Sequence, residues 1–168
     1  GYTHHHPAKG ERTNQSILRN GKAILKESML PASFYNEAQQ HAAYLFNRMP
    51  HGENTISPFE YIFKRKPDLS NLQPFGCICF AFLPKETITK IDGNGLKCRL
   101  LGYGDDFKTE EIKGYRLLTE EGNIIFADNV TFPINIKFER LNDLVYTTNN
   151  DMAIDELFDP LIDINSNQ

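Results

Sequence analysis

Three sets of residues in this chain have types and spacings that could do chemistry: Glu11 with Arg12, Thr13 and Asn14; the basic run Lys64-Arg65-Lys66; and the cysteines Cys77, Cys79 and Cys98. Taken by itself, Glu11-Arg12-Thr13-Asn14 is a charged helix start whose carboxylate complements the positive end of the helix dipole. Glu11, Leu18 and Leu25 are spaced by seven, which puts the carboxylate on the face of the apolar stripe, looking across the domain. Lys64 to Lys66 is the densest cationic strip. It serves either phosphate contacts or a solvated helix end whose cations complement the negative dipole terminus. Cys77 and Cys79 share a strand face. With Cys98 they suggest a metal site, but no fourth ligand stands at a suitable spacing, so buried free thiols are expected. His4-His5-His6 reads as a polar loop, because adjacent side chains diverge and rarely converge on one ion.

A second group of cations lies further along. Lys85, Lys90, Lys97, Arg99, Lys113 and Arg116 alternate with aromatic and apolar positions. That composition suits phosphate contacts, with Phe80, Phe82, Tyr103 and Tyr115 either stacking on bases or filling a small core. The net charge of -4 does not exclude an anionic partner, because residues 134–168 hold 7 of the 22 acidic residues and only 2 of the 18 basic ones. The acidity sits in the tail, and the body is close to neutral.

The elements that must position these residues follow from periodicity. Ile17, Leu18, Ile24, Leu25 and Met29 recur at helical spacing, predicting a helix from Glu11 to Met29 that Gly21 weakens by about 1 kcal/mol relative to Ala. Pro31 breaks it. A second helix is predicted from about Ser33 to Arg48, closed by Pro50. Ser57, Pro58 and Glu60 form a cap, first-turn proline and capping-box glutamate for a third helix ending near Lys66. After Pro74 the pattern changes to short strands at Phe75 to Leu83, Lys97 to Tyr103, Ile112 to Leu118 and Asn123 to Phe132. Turn-formers at Asp92 to Gly95, Gly104 to Asp106 and Glu120 to Asn123 separate them, which suggests a small barrel. Asp143 to Gln168 reads as an acidic, mostly disordered linker, within which Asp155 to Ile164 could form a short helix on a partner. No run has the roughly 18 consecutive apolar residues of a membrane span, and nothing before Pro7 resembles a signal peptide. The few cysteines fit a reducing compartment. The chain opens on Gly1, which suggests a fragment or a processed product.

Read as a whole, the order of short motifs resembles the integrase region of copia-type retrotransposon polyproteins. The resemblance runs through Gly10-Glu11-Arg12-Thr13-Asn14, Leu30-Pro31-Ala32-Ser33-Phe34, Asn47-Arg48-Met49-Pro50, Ser57-Pro58-Phe59-Glu60 and Phe75-Gly76-Cys77. It continues through Leu101-Gly102-Tyr103, Gly114-Tyr115-Arg116-Leu117-Leu118 and Val130-Thr131-Phe132. Each match is weak alone; their collinearity from Tyr2 to Phe132 carries the resemblance. It implies an α+β chain in three parts: the C-terminal helices of a ribonuclease H-like core over residues 1–70, an SH3-like β-barrel over 71–133, and an acidic tail over 134–168.

In such integrases two aspartates and one glutamate bind two Mg²⁺ or Mn²⁺ ions that direct phosphodiester cleavage and strand transfer. Glu11 matches the glutamate, as catalytic residue and metal ligand of an incomplete site; both aspartates would lie upstream, so the isolated chain is expected to be inactive and to bind no metal. Arg12, Asn14, Lys64, Arg65, Lys66, Lys97, Arg99 and Arg116 are the expected DNA contacts, and element cDNA ends and target DNA the expected partners. Self-association or contact with other polyprotein regions is a further expectation, in the nucleus or in a cytoplasmic virus-like particle. The alternatives are a noncatalytic nucleic-acid-binding or assembly module, domesticated or decayed, and an inert remnant. One departure is local: His4, Pro7 and Ala8 replace the Pro, Asn and Gly of the family's turn before the glutamate, which would shift how Glu11 is presented, and Gln15 replaces an Arg after Asn14.

Overall fold

The structure, a computed structural model, describes residues 7–82, 95–105 and 112–134. The expected histidine loop, the Asp92 turn region up to Asn94, Lys85, Lys90 and the acidic tail beyond Ile134 lie outside the described residues.

Helix α1 spans Pro7–Ser28. Proline fits the first helical position, where its missing N–H would have had no partner and its fixed φ is already helical. The helix therefore starts four residues earlier than the sequence pattern predicts, and Glu11 lies one turn inside it instead of heading it. The apolar stripe is buried only toward the C-terminal end. Leu25 is fully buried, while Leu18 is 42% exposed and Glu11 is exposed. Gly21 supports the packing that its helix propensity opposes. A Cβ there would lie 3.1 Å from Gln39 Cγ and 3.3 Å from Gln39 Cα, so its absence lets α1 approach the next helix closely. The end of α1 is fixed by Ser28, whose hydroxyl donates to the Leu25 carbonyl at 2.7 Å and accepts from the Leu30 amide at 3.2 Å.

A 3-10 turn at Ala32–Phe34 leads into α2, Tyr35–Arg48. Helix α3, Pro58–Phe63, begins as its capping residues dictate, with the Glu60 amide donating to Ser57 Oγ at 3.1 Å. It ends three residues short of the expected Lys66. Lys64 adopts a left-handed conformation, φ 58°, and its amide closes on the Glu60 carbonyl at 3.0 Å, which puts Lys64, Arg65 and Lys66 beyond the helix.

Among the described residues five antiparallel strands follow: β1 (Ile78–Ala81), β2 (Leu96–Asp105), β3 (Ile112–Thr119), β4 (Ile124–Ala127) and β5 (Val130–Thr131). Their order in the sheet is β4-β3-β2-β1-β5. The expected Phe75 to Leu83 strand is shorter at its start because Gly76 sits at φ 75°, and the expected Asn123 to Phe132 strand is split around Asp128 and Asn129. The Glu120 to Asn123 turn is present, closed by the Gly122 amide on the Thr119 carbonyl at 3.0 Å. The strand β2 runs through Gly104 to Asp105, where a turn was expected to begin.

The helices and the sheet share a core. One apolar cluster joins Leu25, Leu30, Phe34 and Ala38 to Phe75, Leu101 and Leu118; a second, on the other side of the sheet, joins Cys77, Cys79, Ala81, Cys98, Leu100, Leu117 and Ala127. The junction is tight at Gly76, where a Cβ would fall 2.5 Å from Ser28 Cβ. No helix among the described residues is long and apolar enough to cross a membrane.

Candidate nucleic-acid interface

The residues singled out from sequence fall into two groups that the fold treats differently. The first projects from α1 and the end of α3. Arg12, Ser16 and Arg19 recur at helical spacing and form one wall of an open cleft of about 1300 Å³. The other wall comes from the end of α2, the α2–α3 connection and α3, including Phe46, His51, Ile56, Tyr61 and Ile62. His51 stacks on Phe46 with ring centroids 3.5 Å apart and hydrogen-bonds the Phe46 carbonyl, which fixes the loop that faces Arg12 and Arg19. Ser16 is turned back on its own helix, its hydroxyl donating to the Arg12 carbonyl at 2.9 Å. Asn14 is exposed, as are Lys64, Arg65 and Lys66. Two of these three also touch rings: the Lys64 ammonium lies 4.7 Å from the Tyr61 ring centre, and the Arg65 guanidinium 5.9 Å from that of Phe59.

The second group, on the sheet, is tied into the protein. Lys97 pairs with Glu120 at 2.8 Å. Arg116 pairs with Glu37 of α2 at 3.4 Å and lies 5.6 Å from the Phe126 ring centre. Arg99 is only 7% exposed and donates to the Gly76 carbonyl at 3.3 Å. Its strand partner is Leu118, a member of the cluster shared with the helices, so its side chain lies between the two layers. The side chain of Lys113 lies outside the described residues.

The aromatics named from sequence divide in the same way. Tyr103 is a junction residue: its hydroxyl accepts from the Gln73 amide at 2.7 Å and donates to the Gln73 carbonyl at 2.9 Å. Its ring stacks on Tyr44 at 4.5 Å, and the Arg48 guanidinium sits 3.4 Å above the other ring of that pair. Burial raises the Tyr103 phenol well above its ordinary range. The cysteines are buried free thiols, with Cys79 and Cys98 directly opposite each other across β1 and β2. Burial raises Cys77 to about 11 and Cys98 to about 12, so none of this cluster is a ready thiolate.

Sequence reasoning passed over His41. It is 2% exposed, wedged against Phe75 and Tyr103 with ring centroids 5.5 and 5.4 Å away, and its Nδ1 has no hydrogen-bond partner. Burial holds its imidazole down to about 4. Its place beside Ala38, Ala42 and Leu45 on the stripe of α2 was the available signal. Arg19 was missed as well, although its spacing from Arg12 and Ser16 is plain in the sequence.

As to a metal, the donors present do not make the two-metal site that the resemblance implies. Glu11 stands exposed, and among the described residues no group of three or more His, Cys, Asp or Glu side chains could hold an ion.

Comparison with known proteins defines the class first. Residues 77–145 match the family of retroviral polymerase SH3-like domains, a span that takes in the five described strands. Over 116 residues, 68% of its length, the chain is 40% identical to the "Retrovirus-related Pol polyprotein from transposon TNT 1-94" of Nicotiana tabacum. It is 31% and 29% identical, over 61% of its length, to the corresponding polyproteins from transposons RE1 and RE2 of Arabidopsis thaliana. The chain is thus a relative of the Pol polyproteins of plant copia-type retrotransposons, with an SH3-like domain in its second half. It spans 8% of the length of the tobacco relative and 7% of each of the others. No solved structure matches it.

Proposed function

We propose that this chain belongs to the integrase region of a retrotransposon Pol polyprotein and serves there as a DNA-contacting unit. Helix α1 contributes the last carboxylate of a ribonuclease H-like core, Glu11, and the sheet is the SH3-like module behind it. The observation that carries this reading is the order of parts within one shared core: a helix bearing Glu11 amid exposed cations, joined through Gly76 and Tyr103 to a sheet of the SH3-like family. Of the candidate DNA contacts, Arg12, Asn14, Lys64, Arg65 and Lys66 are exposed enough to meet phosphates, whereas Lys97, Arg99 and Arg116 act mainly within the fold.

Because Glu11 has no neighbouring carboxylates among the described residues that would complete a metal site with it, no catalytic step is assigned to this chain. Strand transfer by the isolated chain with Mg²⁺ or Mn²⁺ would overturn the expectation that it is inactive. The binding role is tested by fluorescence anisotropy with double-stranded DNA across a salt series. Affinity that falls steeply with salt supports it, and no binding at low salt overturns it.

A further inference from the structure

The cleft between α1 and α3 has a composition that neither the family's SH3-like domain nor the carboxylate at Glu11 accounts for. Two guanidinium groups, Arg12 and Arg19, stand two helical turns apart along one wall, about 10 Å by the rise of a helix. Facing them, beside the single carboxylate of Glu53, are exposed apolar side chains, with Ile56 at 41% and Tyr61 and Ile62 at 66% exposure. A cationic rim beside an apolar floor calls for a ligand carrying carboxylates interleaved with large apolar side chains.

The same chain contains such a segment. Between Asp151 and Asp163 there are five acidic residues and no Lys or Arg, and Asp151, Asp155, Asp159 and Asp163 recur at every fourth position. Ile154, Leu157, Phe158, Leu161 and Ile162 alternate with them. The connection is long enough: residues 135–150 can extend about 55 Å at 3.3–3.6 Å per residue, whereas a compact chain of 168 residues is only about 40 Å across.

We propose that the segment from Asp151 to Asp163 docks in the cleft of its own chain, its carboxylates on Arg12 and Arg19 and its apolar residues against Ile56, Tyr61 and Ile62. Attachment to the same chain supplies an effective concentration on the order of millimolar, so a contact too weak to hold a free peptide is still populated. The docked segment covers the Arg12 face of α1, and an anion competing for that face must displace it.

The test uses the full chain carrying Ser166→Cys with a nitroxide on the new thiol. Cys77, Cys79 and Cys98, each no more than 1% exposed, do not compete for the label. The amide signals of Arg12 to Asn20 and of Tyr61 and Ile62 should lose about half or more of their intensity, because paramagnetic broadening at short range outweighs partial occupancy of an intramolecular contact. Arg12→Glu with Arg19→Glu should restore them, as should salt at about 1 M, where the Debye length is about 3 Å. Adding Asp155→Lys and Asp159→Lys to the reversed cleft should bring the loss back. Undiminished signals in the unreversed chain, or a loss indifferent to both charge reversal and salt, would overturn the proposal. So would a loss that appears when labelled chain is mixed with isotope-enriched unlabelled chain, because the occupant would then be a second copy. Since the readout involves no DNA, failure of this docking leaves the DNA-contacting role to be judged by its own salt series.

Discussion

The two halves of this molecule use their cations in opposite ways. On the sheet, Lys97, Arg99 and Arg116 are spent on Glu120, the Gly76 carbonyl and Glu37, and the aromatic Tyr103 is locked between layers. On α1 and after α3, Arg12, Arg19, Lys64 and Lys66 stand exposed, and the apolar stripe of α1 thins out toward its N-terminal end. A count of Lys and Arg therefore does not locate an anion-binding face. What decides availability is whether a second layer covers the strand or helix that carries the cation.

The contrast is most sharply tested where burial differs most along one helix. Leu25→Ala, at a fully buried position near the C-terminal end of α1, should cost roughly 2–5 kcal/mol in denaturant unfolding, whereas Leu18→Ala, 42% exposed, should stay within about 1 kcal/mol. Equal losses would mean that the two halves are packed alike.

Acidification addresses the same junction. The His41 imidazole is held at about 4 in the folded chain against 6.5 ordinarily, so between these values the unfolded chain binds a proton that the folded one does not. Stability from this group is complete above the unfolded value and is lost as pH falls from 6.5 toward 4, amounting to about 3 kcal/mol at 1.36 kcal/mol per unit. His41→Leu should flatten this part of the stability profile; an unchanged slope would remove His41 as its source.

Tyr103→Phe keeps the ring stack but leaves the Gln73 amide and carbonyl without the phenol, for an expected loss of about 1–3 kcal/mol. In DNA binding, Arg12→Ala and Lys66→Ala should each lower the salt slope by about 0.9 if each meets one phosphate. Lys97→Ala should leave the slope alone, because its ammonium is already held by Glu120; a matching drop would show that the sheet cations are available after all. The smallest effect belongs to the long, part-buried pair between Arg116 and Glu37, where a double-mutant cycle should return about 0.2–1 kcal/mol.

Local signals were readable in advance and long-range ones were not. The start of α3 at Ser57 and Pro58 and the closure of α2 before Pro50 are written in residues that touch each other, and the structure follows them. The start of α1 was misplaced because the charged run Glu11 to Asn14 reads as a helix start, whereas Pro7 opens the helix a turn earlier. Arg99 looked like a surface cation because strand alternation assumes one solvated face. Here the helices cover the second face, and only the tertiary fold reveals that. His41 escaped for the same reason, as its neighbours Phe75 and Tyr103 come from far along the chain. The motif order led to the polyprotein family because it does not depend on knowing which face is covered.

Gly76 bears on how such a protein can diverge. At φ 75°, with Ser28 Cβ 2.5 Å from where its own Cβ would be, it permits no side chain unless the end of α1 moves away from the sheet. A change at this position alters the seating of both halves at once. The join between the two layers thus evolves as one character, and a chain that lost this glycine would have to rebuild its Ser28 corner in the same step.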